Sequence, residues 1–182
     1  EQLRKLYKVS IETETFVNLD MEEFRDLRIT VDAFKLLLLE KPFHKLYAGI
    51  VLQAYLPEAH EVFDELLLWA KERNLNNGGK IKIRLVKGAN LEMERVESEI
   101  QGWNSATYPG KDLVDASYLR LIDIGLRKEY EGVVDLGIAS HNLFHLSFAL
   151  EIAKSRKVVN QMDIEMLEGM ANAEALALSS KG

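Results

Sequence analysis

With 182 residues, 47% of them hydrophobic, the chain has enough material for one domain with a sizeable core. A formal charge of −6 argues against a general nucleic-acid binder, whose counterion release needs clustered Lys and Arg, so the expected partner is a small molecule. Without cysteine there is no disulfide framework, thiolate nucleophile or Cys-based metal or iron–sulfur site, and no apolar run reaches the length of a membrane span. EQLRKLYKV, at the start, has no hydrophobic signal core.

Glu1 to Thr15 is mixed and charged, the tail of a helix or a linker. FVNLD, Phe16 to Asp20, alternates as a short strand. A helix is expected over Met21 to Leu39, where Phe24, Leu27, Val31, Phe34 and Leu38 form an apolar stripe. GIVLQAY, Gly49 to Tyr55, is the next strand, and Pro57 fits the first position of a helix running to about Asn74. NLNNGG, Asn74 to Gly79, is a turn and helix stop.

Ile81 to Glu92, IKIRLVKGANLE, alternates apolar and polar before Gly88 and Ala89 open a helix that runs to about Gln101. Gly102 to Asp112 is a longer loop containing Trp103, Tyr108, Pro109 and Gly110. A helix over Leu113 to Tyr130 and a strand over Val133 to His141 follow. Asn142 is the expected N-cap of a helix through Lys154, Met162 to Glu168 is a fifth strand, and a short helical segment comes after Ala171.

Five strands, each followed by a helix, predict a parallel α/β sheet. In the first four, one side-chain parity is apolar while the other holds Asn18 and Asp20, Gln53, Lys82 and Arg84, or Asp135 and His141. A doubly wound sheet covered on both faces would be apolar on both parities. A barrel, whose interior opens onto a site, accommodates the asymmetry. A complete (β/α)8 barrel needs eight strands and about 250 residues, so the expectation is a partial TIM-like barrel of about five strand-helix units.

Arg84, a permanent cation on the interior parity, needs either an anionic or electron-rich ligand or an ion pair with Asp20 or Asp135. Lys87 is a Schiff-base or phosphate candidate, or a solvated rim lysine. Gly88 and Ala89 would let a backbone N–H approach an anion. Gln53 is a ligand contact or a buried amide bonded to a neighbouring strand. Asp20 lies at a strand end, where site residues gather, and three residues before Glu23, the spacing of a capping box. Ser140, His141 and Asn142 form a polar cluster at another strand end. His44, His60 and His145 show no metal-ligand spacing, so no metal is expected, and no nucleophile elbow surrounds any serine.

FVNLDMEEFRDL (Phe16 to Leu27), GIVLQAY, IKIRLVKGANLEMERVE (Ile81 to Glu97), ASHN (Ala139 to Asn142) and MLEGMA (Met166 to Ala171) together resemble proline dehydrogenase. The resemblance is closest to the proline dehydrogenase domain of bacterial bifunctional proline utilization A proteins. It implies that residues 1–182 are a single domain, the central portion of a distorted (β/α)8 barrel without its first and last elements. It also implies non-covalent FAD and the oxidation of L-proline to Δ1-pyrroline-5-carboxylate. By motif matching, Arg84 corresponds to the arginine beside the flavin N5 region and Asp20 to the active-site aspartate, the two catalytic candidates. Gln53, Val86, Gly88, Ala89, Ser140, His141 and Asn142 correspond to cofactor contacts, and Lys111 with its preceding loop approaches the FAD phosphates.

The resemblance further implies a quinone acceptor at the membrane, a cytoplasmic protein peripheral to the inner membrane, and an aldehyde dehydrogenase domain in the full-length chain. Two departures stand out. Where the family strand reads E-F-Q-M-L, this chain has Asp163, Ile164, Glu165, Met166 and Leu167. The family's substrate-side lysine strand, final strand and last helix, with the paired arginines that clamp the proline carboxylate, have no counterpart in these 182 residues. An inactive partial barrel keeping only part of the FAD site is therefore the alternative, and a lysine-dependent aldolase using Lys87 is a third reading.

Overall fold

The computed structural model describes residues 1–179. Helix α1 (Gln2–Thr13) precedes β1 (Val17–Leu19), and a 3-10 turn (Phe24–Asp26) leads into α2 (Leu27–Leu39). Next come β2 (Ala48–Gln53), α3 (Ala59–Leu75), β3 (Ile81–Val86), α4 (Leu91–Gln101) and α5 (Lys111–Gly125). The described chain ends with β4 (Val134–Ala139), α6 (Leu143–Arg156), β5 (Met162–Glu165) and α7 (Asn172–Ser179).

All five strands are parallel, and their spatial order is β1-β2-β3-β4-β5, the order of the sequence. A doubly wound sheet reverses direction at a switch point, whereas sequential order with constant crossover hand curls a sheet toward a barrel. The strand order therefore settles the choice that side-chain parity had raised.

Register fixes what shares a face. Ile50, Ile83 and Leu136 are paired neighbours, fully buried against the helical layer with Leu52, Leu85, Ile138, Val62, Phe63, Leu66, Tyr118 and Leu121. The opposite face stacks Asn18, Gly49, Lys82 and Asp135 in one layer, then Val51, Arg84, Gly137 and Asp163 in the next. Gly125 lets α5 lie close to the sheet, since a Cβ there would stand 2.6 Å from Leu136 Cδ1 and 2.8 Å from Phe63 Cζ.

Several local expectations differ, and the helix expected to run to Tyr130 ends at Gly125. Helix α2 begins at Leu27, not Met21, and neither Asp20 nor Glu23 makes a capping-box bond: no side chain caps the 3-10 turn or α2. The reason is tertiary, because residues 21–24 are drawn across the end of β2 by groups on other elements. Pro57 lies two residues before the first residue of α3, with Glu58 between them. Met166 to Glu168 fall outside β5, which ends at Glu165.

No sequence motif singles out Arg73, which is only 2% exposed. Its guanidinium donates to the carbonyls of Leu38 (3.4 Å), Phe43 (3.3 Å), His44 (2.9 Å), Leu46 (3.1 Å) and Gly79. Leu38 lies in the last turn of α2 and the other acceptors in the connections leading into β2 and β3, so one side chain ties down the strand starts opposite the site. Burial lowers its pKa to about 10, so it remains a cation at neutral pH.

Candidate active site at the strand ends

The C-terminal ends of the strands surround a cavity of about 740 Å³. It is lined by Asp20 and Met21 after β1, Gln53 on β2, Arg84 and Val86 on β3 with Lys87 to Asn90 after it, Ala139 at the end of β4 with Ser140 to Asn142 after it, and Glu165 on β5. This is the end at which parallel α/β folds place their chemistry.

Arg84 projects from β3 into the interior. Its Nε donates to Glu165 Oε2, while Asp20 Oδ2 lies 3.7 Å from Nη1. Of the two ion-pair partners expected, Asp20 is a long-range second partner. Asp135 is engaged elsewhere, accepting from Tyr47 Oη at 2.7 Å and pairing with Lys80 at 2.5 Å. Burial and then the bond to Asp135 push the Tyr47 phenol above its ordinary range.

Lys82, two residues before Arg84 on the same face, is 2.8 Å from Asp163 and 2.7 Å from Glu165. Burial lowers its pKa, but the hydrogen bonds and charges of Asp163 and Glu165 outweigh that and leave it raised. Arg84 and Lys82 of β3 and Glu165 of β5 thus meet across the intervening β4, over Gly137. A Cβ on Gly137 would lie 2.9 Å from Glu165 Cδ and 3.1 Å from Lys82 Cε. In the sequence, Lys82 marks only the polar parity of its strand and Glu165 only a departure from the family pattern. The signal available was the glycine, since glycine inside a strand marks close approach by other atoms.

Gln53 is 5% exposed and donates from Nε2 to Met21 O at 2.5 Å and Glu22 O at 3.3 Å. Its bond goes to the segment after the neighbouring strand, not to a strand. Asn90 Nδ2 also donates to Glu22 O at 3.1 Å, and Glu94 accepts from Phe24 N at 2.6 Å. These contacts hold residues 21–24 across the end of β2 and thereby place Asp20 at the rim. Gln53 Oε1 is buried without a hydrogen-bond partner.

Gly88 has φ +120, a conformation closed to other residues, and its α-carbon passes over Tyr55, whose Cγ would lie 2.6 Å from an added Cβ. After β4, Asn142 caps α6 as expected: its side chain accepts from Phe144 N at 2.9 Å and His145 N at 3.4 Å. Ser140 Oγ accepts from Asn142 N at 3.0 Å. His141 Nε2 accepts from Leu167 N at 3.4 Å, which leaves the ring hydrogen on Nδ1, buried and without a partner.

Lys87 is paired with Asp115 at 2.5 Å, so it is not a simply solvated rim lysine. Lys111, at the start of α5, bonds the same carboxylate at 2.7 Å; its side chain is 81% exposed and lies outside the cavity lining. Burial raises the Asp115 pKa, but the bonds from Lys111 and Lys87 win and leave it lowered. No group of three metal-ligating side chains occurs among the described residues.

The sequence matches the pattern of the proline dehydrogenase family over residues 2–182. The chain belongs to the proline dehydrogenase family. Among solved structures, proline utilization A from Corynebacterium freiburgense superimposes with a TM-score of 0.94 at 50% identity, over 98% of this chain and 19% of that one. Proline utilization A from Bdellovibrio bacteriovorus gives 0.92 at 31% identity, over 98% and 18%. A curated relative, hydroxyproline dehydrogenase of Rattus norvegicus, is 33% identical over 92 residues, half of this chain and 19% of its own length. The chain thus spans about a fifth of the relatives it matches, and its sheet is part of the proline dehydrogenase barrel.

Proposed function

We propose that the protein containing this chain is an FAD-dependent dehydrogenase that oxidises L-proline to Δ1-pyrroline-5-carboxylate. We further propose that residues 1–182 are the central portion of its barrel. The observation that carries the reading is the convergence of Arg84 with two buried, unpartnered polar atoms, Gln53 Oε1 and His141 Nδ1, at the strand ends. An acceptor and a donor fixed in a partly apolar cavity fit the edge of a flavin ring, whose rim offers both N–H and carbonyl groups. The coverage of the relatives and the one-sided pairing of β1 and β5 support the placement of the domain within a larger barrel.

Gln53 Oε1, His141 Nδ1 and Ser140 would orient the cofactor, while Val86, Gly88 and Ala89 would let it approach the backbone. Asn142 serves mainly by capping α6 and so fixing the Ser140–His141 segment. FAD, when bound, supplies the two-electron acceptor. Arg84 is the preorganised cation where negative charge accumulates, and it needs no proton transfer to act. Asp20, 65% exposed at the side chain, stands at the open rim, where it can meet a substrate ammonium. Lys111 would act at a distance, through Asp115 and Lys87, on the phosphate side.

By family resemblance, the full-length protein binds proline with arginines outside these 182 residues, passes electrons to membrane quinone and carries an aldehyde dehydrogenase domain. A cytoplasmic enzyme peripheral to the inner membrane is the matching location. No helix among the described residues is long and apolar enough to cross a membrane.

The test is the absorbance spectrum of purified full-length protein before and after L-proline, with 4-hydroxy-L-proline as comparison. A flavin band bleached by L-proline is the expected result. A protein without flavin overturns the reading, and bleaching by hydroxyproline alone reassigns the substrate.

A further inference from the structure

We propose that Glu165 is a positioning residue of this site: it holds the Arg84 guanidinium from the β5 side and offsets its charge, thereby setting how readily the bound cofactor accepts electrons. The inference rests on the flavin reading above and extends it to a residue where the family pattern has glutamine.

The geometry gives Glu165 a shared role. One carboxylate oxygen takes Arg84 Nε and the other is 2.7 Å from Lys82 Nζ, with the Glu165 side chain 19% exposed. The carboxylate is also confined: Gly137 beneath it leaves no room for a Cβ, so the side chain is fitted to the groove over β4. Asp20, the other acid facing Arg84, is 3.7 Å away and 65% exposed, and therefore constrains it less. Asp163 pairs with Lys82, at 2.8 Å, and not with Arg84 among the described residues, and is 63% exposed.

The electrostatic consequence has a definite sign. Arg84 and Lys82 face three carboxylates, Asp20, Asp163 and Glu165, so this patch is net negative when all are ionised. Reduction adds electron density to a flavin beside it, and a nearby carboxylate opposes that change while an uncompensated guanidinium favours it. Substituting Gln at 165 retains the side-chain length and an acceptor for Arg84 but removes the negative charge. The cofactor should then be easier to reduce. Asn at 163 removes a charge that is more exposed and does not touch Arg84, so its effect should be smaller.

The experiment measures the flavin midpoint potential, by equilibration with reference dyes, in full-length wild-type, Glu165→Gln and Asp163→Asn proteins. Glu165→Gln is expected to raise the potential by at least a tenfold change in the reduction equilibrium, about 30 mV for a two-electron couple. Asp163→Asn should move it less. An unchanged or lowered potential in Glu165→Gln, or an equal rise in Asp163→Asn, overturns the inference while leaving the flavin reading intact. Wild-type protein that binds no flavin overturns both. If circular dichroism shows that Glu165→Gln does not fold, Lys82→Met replaces it; uncovering the Glu165 charge should lower the potential, and a rise or no change overturns the inference.

Discussion

Two interior arginines show how differently one side chain can be used. Arg84 is 30% exposed at the side chain and answers to carboxylates in an open cavity, whereas Arg73 is enclosed, donates to backbone carbonyls and lies over the Trp69 ring. A guanidinium suits the second task because its planar fork presents five N–H donors to several acceptors at once. Replacing Arg73 with Met should cost roughly 3 kcal/mol or more, since several buried carbonyls lose their donor. Thermal unfolding of the full-length variant checks this, and Arg73→Lys should recover little because an ammonium cannot span the same set. A variant melting like the wild type would show that water replaces the guanidinium at no cost.

At the scale of elements, α6 and α2 mark what local sequence determines. The cap of α6 is self-contained: Asn142, Phe144 and His145 lie within four residues, so the signal and the interaction coincide. Asn142→Ala should cost about 1 kcal/mol and Asn142→Asp much less, measurable as the shift in thermal midpoint. Asp20 and Glu23 have equally good capping spacing, yet Gln53, Asn90 and Glu94 act on the backbone of 21–24 from other elements. The same distinction explains the site. Arg84, Gln53 and the 140–142 cluster were legible because strand alternation and a strand end fixed their direction. The Lys82–Glu165–Arg84 cluster was not, because residues on β3 and β5 meet only when curvature and Gly137 bring them together.

For the whole molecule, the half-buried His60 and the buried His145 predict a response to pH. Burial lowers the pKa of His60, with Arg120 adding to the effect and Asp64 opposing it; its Nε2 lies 2.9 Å from Ser117 Oγ between α3 and α5. Burial likewise lowers that of His145, with Lys87 and Lys111 adding and Asp115 opposing. Unfolded imidazoles titrate near about 6.5, so below that value the unfolded chain binds protons that the folded one resists. Stability should therefore fall as pH drops from about 7.5 to 5.5, read as a decreasing thermal midpoint at constant ionic strength. His60→Gln should flatten part of that slope, and an unchanged slope would assign the response to other groups.

The strand order carries a consequence for how the chain assembles during synthesis. Because each of β2 to β5 pairs with the strand made just before it, each of these units leaving the ribosome finds its docking edge already in place. None of these four pairings waits for a distant strand to be translated, as a switched order would require. Assembly can advance unit by unit from β1 toward β5, and Arg84 gains its Glu165 partner only with the last of these additions.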